Sequence, residues 1–130
     1  MNQLDGLQLN QPGFAYRDLL SQDSWDSFTV TAVLTLVGAA TYVGRYRFVG
    51  AQCQFQITAV AATSIASTAG TSYFNLPVAA KGATGIAVMT NDTTNIAVGV
   101  CHVDVSTSRC YLPSQSASGN TFNVCGSYEV

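Results

Sequence analysis

From Ser27 to the last residue the chain alternates between apolar and polar side chains with a period near two, and no stretch carries the three-to-four spacing of an amphipathic helix. Residues 51–60 (AQCQFQITAV) show the alternation most cleanly. Gln52, Gln54, Gln56 and Thr58 fall on one face, and Ala51, Cys53, Phe55, Ile57 and Ala59 on the other. That pattern predicts a strand with one buried and one wet side, with Cys53, Phe55 and Ile57 in the core. Residues 27–37 (SFTVTAVLTLV) are rich in β-branched types and predict another strand. Residues 42–49 (YVGRYRFV) predict a third, joined to the 51–60 strand by a tight hairpin at Val49-Gly50-Ala51.

A stretch of small residues, AATSIASTAGTS, separates these strands from a short one ending at Tyr73-Phe74-Asn75-Leu76, where Pro77 stops regular pairing. Residues 85–90 and 95–105 flank the polar sequence Asn91-Asp92-Thr93-Thr94, which predicts a turn. The sequence STSR at 106–109 turns the chain again before Cys110-Tyr111-Leu112. The loop PSQSASGN then leads into a last strand, TFNVCGSYEV, in which Phe122, Val124, Tyr128 and Val130 share a face. Seven to nine strands at intervals of about ten residues predict an all-β fold, an antiparallel β-sandwich or jelly roll. No fixed-period repeat points to a propeller or solenoid.

The first 24 residues differ in character. They hold Pro12 and four of the twelve charged residues (Asp5, Arg17, Asp18, Asp23), and they read as a stem or linker. Tyr16–Ser21 has room for one helical turn at most. The predicted organisation is therefore a stem segment, 1–24, followed by a head domain, 25–130.

Composition narrows the function. Apolar residues make up 48% of the chain and charged residues only 9%, against roughly 25% in typical soluble domains. So uncharged an exterior predicts that much of it is covered by other copies of the chain. The net charge of −2, with no basic run, gives no footing for nucleic acid or anionic lipid. The apolar stretch Val30–Val43 is broken by Thr31, Thr35, Gly38 and Thr41, too polar to insert in a membrane. The opening residues lack the basic and apolar regions of a secretory signal, which predicts folding in a cytosol. The four cysteines (Cys53, Cys101, Cys110, Cys125) are then expected as reduced, small, buried hydrophobes. Their spacing matches no zinc template, and no metal or cofactor is expected.

At GRYRFVG, QCQFQI, YFNLP and SGNTFNVCGSYEV the chain resembles the C-terminal head domain of tailed-bacteriophage fibre and receptor-binding proteins. The residues carrying the resemblance are Trp25 ahead of a strand, the Gly44-x-Tyr46-x-x-x-Gly50 hairpin, Leu76-Pro77, and the closing Gly126-x-Tyr128-Glu129. The segment PGFAYRDLLS resembles the junction of a fibre stem with its head. The resemblance spans about residues 12–130, and four cysteines are uncommon in such heads. It implies a homotrimeric domain at the fibre tip of the virion, made in the host cytoplasm. It implies contact with a host cell-surface glycan or protein, and attachment to the remainder of the fibre through the N-terminal segment.

His102 and Asp104 share a strand face as a base and its orienting carboxylate could, but no nucleophile motif accompanies them, and a surface histidine is the plainer reading. The seven carboxylates are scattered, so a glycosidase is the least favoured alternative, and Asn91-Asp92 has no calcium-loop spacing. Recognition is instead expected in polar turns on firm strands: Asn91, Asp92, Thr93, Thr94 and Asn95 in one, Gln115, Ser116, Ser118 and Asn120 in another, with Tyr111 beside the second. Alanine at Asn91, Asp92, Gln115 or Asn120 is expected to weaken binding and leave stability nearly unchanged, and His102→Ala to do little. The rival reading is a structural trimerisation or capsid-decoration module without a receptor.

Overall fold

The structure, a computed structural model, describes residues 24–82 and 85–130. The expectations for the stem and for a helical turn at Tyr16–Ser21 fall outside these residues, apart from Ser24. Eleven strands make up the described chain: β1 (Asp26–Phe28), β2 (Ala32–Val33), β3 (Thr35–Val37), β4 (Ala40–Val49), β5 (Gln52–Ala61), β6 (Ser64–Ala66), β7 (Tyr73–Asn75), β8 (Gly85–Asn91), β9 (Ile96–Asp104), β10 (Arg109–Tyr111) and β11 (Thr121–Glu129). No helix occurs among the described residues.

Nine strands form one antiparallel sheet in the order β1-β4-β5-β11-β8-β9-β10-β7-β2, and β3 pairs with β6 separately. The order itself dictates the shape. β1 and β2 lie at opposite ends of the list, yet only Thr29, Val30 and Thr31 separate them in the chain. A flat sheet would place its edges about 38 Å apart, eight steps of about 4.8 Å. The connection from Phe28 to Ala32 reaches about 14 Å at most. The sheet therefore curls until its ends meet. Two contacts mark the closure. Tyr42 on β4 packs edge-on against Phe74 on β7, their ring centroids 6.0 Å apart. The Thr31 N–H donates to Asn75 Oδ1, while the Asn75 N–H returns to the Thr31 carbonyl at 3.0 Å. Gly44 lies under the crossing, where any Cβ would collide with Val30 and the Phe28 ring.

This crossing corrects the expectation of a single strand over 27–37. The run divides into β1, β2 and β3 because it leaves one edge, bridges the gap and joins the other. The small-residue stretch 61–72 likewise contains a strand, β6, and Asn91 ends β8 instead of opening a turn.

The long strands follow their alternation. On β5, Cys53, Phe55, Ile57 and Ala59 are buried, while Gln52 is exposed and Gln54 and Gln56 are half-buried. Arg45 Nη2 donates to Gln56 Oε1 at 2.7 Å and Arg47 Nε to Gln54 Oε1 at 2.8 Å, so the outer face is a polar lattice. Trp25 lies against both guanidinium groups, at 5.4 and 4.8 Å. β5 pairs with β4 through a two-residue connection, Gly50-Ala51, in which Gly50 has φ +60°. A positive φ at the first central residue alone is the II′ hairpin pattern, for which glycine is the natural residue. On the other side β5 pairs with β11 over nine consecutive positions without a slip. Phe122, Val124 and Tyr128 bury the shared face expected of them, with Val130 half-buried at its end.

The core fills the inside of the curl: Phe55, Ile57, Ile65, Phe74, Met89, Phe122, Val124 and Tyr128 are all essentially inaccessible to solvent. Tyr128 is buried with its hydroxyl satisfied, donating to the Val78 carbonyl at 2.7 Å and accepting from the Val78 N–H at 3.1 Å. Those bonds pin the Pro77–Ala80 segment to the sheet, helped by Ala80 N–H to Ser108 Oγ at 3.2 Å.

All four cysteines are thiols, three of them buried as expected. Cys125 is the exception. It pairs with Val88 and Gln56 on the outward-facing register of β11 and is exposed. Cys101 and Cys110 lie together on the inner side, and the neighbouring Cys101 thiol, together with burial, pushes the Cys110 thiol up.

Candidate functional site

The residues expected to carry recognition separate into two places. At one end of β9, the turn 92–95 folds against the segment 118–121. Asn91 organises it as an Asx turn: its Oδ1 accepts from the N–H groups of Thr93 (3.1 Å) and Thr94 (3.3 Å), and its Nδ2 donates to the Ser118 carbonyl. Thr93 Oγ1 accepts from the N–H groups of Asn120 and Thr121 at 3.2 and 3.1 Å. Asp92 accepts from Thr90 Oγ1 at 3.1 Å and from Asn123 Nδ2. Asn95 takes the left-handed conformation, φ +58°, that asparagine tolerates.

The two loops thus form one locked tip. Asp92, Thr93, Thr94, Asn95 and Ser118 are exposed on it and Asn120 is half-buried, whereas half-buried Gln115, with exposed Ser116 beside it, bridges to Ser67 away from the tip. Asn91 is a correction. It is 2% exposed, and it serves as the structural pin of the tip, not as a surface contact. Its burial depends on a segment 27 residues away folding over it, which no local pattern announces.

Tyr111 lies elsewhere, on β10 and not in a loop. The register opposes Tyr111 to His102 on β9 and to Tyr73 on β7, and opposes Arg109 to Asp104 and Asn75. Because Cys101, Val103, Cys110 and Phe74 point into the core, these partners all stand on the outer face. The rings form a ladder, Tyr111 lying 5.4 Å from Tyr73 and 6.5 Å from His102. Arg109 covers Tyr73 at 4.1 Å and donates from Nη1 to the Tyr111 hydroxyl at 3.3 Å.

Over this face lies an open groove of about 520 Å³. Val100, His102 and Asp104 of β9 form its floor, Tyr111, Leu112 and Pro113 one side, and the Ala69-Gly70 turn its rim. The rim is braced. Ala69 N–H donates to Ser114 Oγ at 2.9 Å, Ser67 Oγ to the Pro113 carbonyl at 2.6 Å, and Ser67 and Gln115 form a β-bridge. At the far end Asp104 Oδ1 accepts from the N–H and hydroxyl of Ser106 at 3.1 and 2.8 Å, and Oδ2 from the Thr107 hydroxyl at 2.6 Å. Those hydrogen bonds hold its carboxyl below the usual carboxylate range. The Ser106 hydroxyl proton is committed to Asp104, not presented to His102.

The groove is what sequence reasoning discounted. His102 and Asp104 were visible as a same-face pair, but Tyr111 joins them only through strand pairing across the sheet, and the 69–70 rim only through the Ala69–Ser114 hydrogen bond and the Ser67–Gln115 bridge. Among the described residues no cluster of histidine, cysteine and carboxylates is suited to a metal, and no helix is long and apolar enough to cross a membrane. Comparison of the chain with protein-family models, with curated proteins and with solved structures finds no match.

Proposed function

We propose that this chain is a receptor-binding head of a phage fibre, acting by binding and not by catalysis. In this reading the curled sheet is a sandwich of jelly-roll type that works as a homotrimer at the tip of the virion. Residues 1–24 connect it to the rest of the fibre, and a host-surface glycan or protein is its target. The observation that carries the reading is the groove: a concavity of about 520 Å³, within the size range of small-ligand sites, floored by Val100, His102 and Asp104 with Tyr111 at its side. Trimerisation would multiply a weak site by raising its effective concentration.

Support for self-association comes from the outer face of β8. Ile86 and Val88 are exposed there, Ile86 at 60%, and the adjoining outward positions of β11 are Asn123, Cys125 and Ser127, all uncharged. Apolar surface of this kind is characteristic of interfaces. The same face favours the second reading, a structural module that assembles without a receptor. Light scattering on the purified chain at low micromolar concentration should give three times the 13.7 kDa chain mass. A folded monomer would remove the trimer from the proposal. Binding of the labelled domain to a panel of bacterial cells separates the two readings, since the structural module leaves every strain unlabelled.

A further inference from the structure

We propose that the groove over β9 and β10 takes a neutral pyranose, stacked on Tyr111 and hydrogen-bonded by Asp104 and His102. This deepens the receptor-binding reading and rests on it only for the biological source of the sugar. A pyranose presents one largely apolar C–H face and a belt of hydroxyls, each both donor and acceptor. The groove offers the complement of both. Tyr111 is fixed in place before any ligand arrives, with Tyr73 5.4 Å behind it and its hydroxyl held by Arg109. Little conformational entropy remains to be lost when a ring settles on it. Val100 and Pro113 extend the apolar wall.

The polar side sets the ligand's charge. An ionised carboxylate has about four acceptor positions. Ser106 and Thr107 fill three of those on Asp104, so one remains for a ligand donor. Hydrogen bonds to its charged form favour the Asp104 carboxylate, which receives a hydroxyl and disfavours a second carboxylate, its cross-strand neighbour Arg109 being engaged by the Tyr73 ring and the Tyr111 hydroxyl. Exposed His102, beside it on the same strand face, supplies a donor and an acceptor for the next hydroxyl. Among the described residues the cation nearest the groove is Arg109, which is turned onto the Tyr73 ring and the Tyr111 hydroxyl and is not aimed at the groove as a sugar-acid clamp. A uronic or sialic acid is therefore the wrong ligand, and a neutral hexose the right one. This reverses the minor role that the sequence assigned to His102.

The test is an amide-shift titration of the full chain with methyl glucoside, methyl galactoside and methyl mannoside, each to roughly 50 mM, the regime of a weak single site. Glucuronic acid serves as the charged counterpart. At least one neutral sugar should shift the amides of Gly70, His102, Asp104 and Tyr111, and glucuronic acid should bind at least tenfold more weakly. Tyr111→Leu should weaken the neutral sugar roughly tenfold or more, and Tyr111→Phe should stay within about threefold, because the ring is kept. His102→Ala, an exposed change that leaves the core intact, should also weaken it. No shift with any pyranose, shifts confined to the 92–95 tip, or tighter binding of glucuronic acid would each overturn the proposal. Cell binding distinguishes the two readings. If the wild-type domain labels cells and His102→Ala and Tyr111→Leu label them equally, this site falls and the receptor reading stands. If the groove binds sugar but the domain labels no strain, the site stands and the receptor reading falls.

Discussion

The two halves of the curled sheet are built differently. In one, β4, β5, β8 and β11 are seven to ten residues long and pair continuously, nine positions between β11 and β5 and ten between β4 and β5. In the other, β2, β7 and β10 are two or three residues long. That second half is held largely by side chains and turns: Asn75 to the Thr29–Thr31 crossing, Ser72 and Ser67 around the 69–70 rim, and Ser108 under Leu76 and Ala80. β9, nine residues long, belongs to both. The long half supplies an unbroken ladder and most of the large buried side chains. The short half carries the groove. The continuous ladder and the groove thus occupy different stretches of one sheet.

The largest expected effect tests the scaffold. Phe55 is 1% exposed, between Tyr46 and Gly126 in register and 5.8 Å from the Tyr128 ring. Phe55→Ala should cost about 3–5 kcal/mol in chemical denaturation, the usual range for emptying a buried phenylalanine site. Phe74→Ala, equally buried but on three-residue β7, makes the comparison direct. Similar losses would mean that the halves share one cooperative core. A loss under about 1 kcal/mol for Phe55→Ala would show its site to be poorly packed.

A smaller effect is expected at the tip. Asn91→Ala removes three hydrogen bonds from a buried side chain and leaves the Ser118 carbonyl and two turn N–H groups to find water, at a cost of about 1–3 kcal/mol. Exposed Thr94 should tolerate alanine within about 0.5 kcal/mol, whereas Asn95→Ala, at φ +58°, should cost about 1–2 kcal/mol because alanine lacks asparagine's tolerance of that conformation. Thermal melts of the three variants check this. Equal melting temperatures would mean that the Asx turn contributes nothing to the fold.

The division between the halves also explains what could be read from the sequence. β5 was legible because ten residues of strict alternation leave no other assignment, and the β4–β5 hairpin because Gly50 supplies the conformation its turn requires. The 27–37 run was not. Its β-branched residues satisfy strand propensity throughout; the break at Thr29–Thr31 arises where the chain crosses between the ends of the curled sheet, and the break at Leu34 where it leaves that sheet to pair with β6. The site followed the same rule. Tyr111 stood out as an aromatic beside a loop, whereas the groove exists because the 105–108 turn brings β10 back with Tyr111 opposite His102. Register across a turn converts two unremarkable residues into neighbours.

The thiols give the finest test, because they sample both halves and both faces. Cys125 is exposed on the outer face of the long half, Cys53 is sealed inside it, Cys110 is sealed inside the short half, and Cys101 is sealed beside it on the shared strand β9. Native-state labelling with a thiol reagent should modify Cys125 first, with no unfolding. Its rate should still be below that of a free cysteine at neutral pH. Partial burial, with Asp92 nearby, raises its pKa, and only the thiolate reacts. The sign follows: a raised pKa means less thiolate at a given pH, so labelling should climb as pH rises past the ordinary thiol value of about 8.5 instead of levelling there. The buried three can react only through opening. If the short strands open locally, Cys101 and Cys110 should be labelled before Cys53, and their rates should respond weakly to denaturant. Cys53 should wait for global unfolding and respond steeply. Identical denaturant dependence at Cys53 and Cys110 would show that the sheet opens as one unit, and that strand length does not divide it.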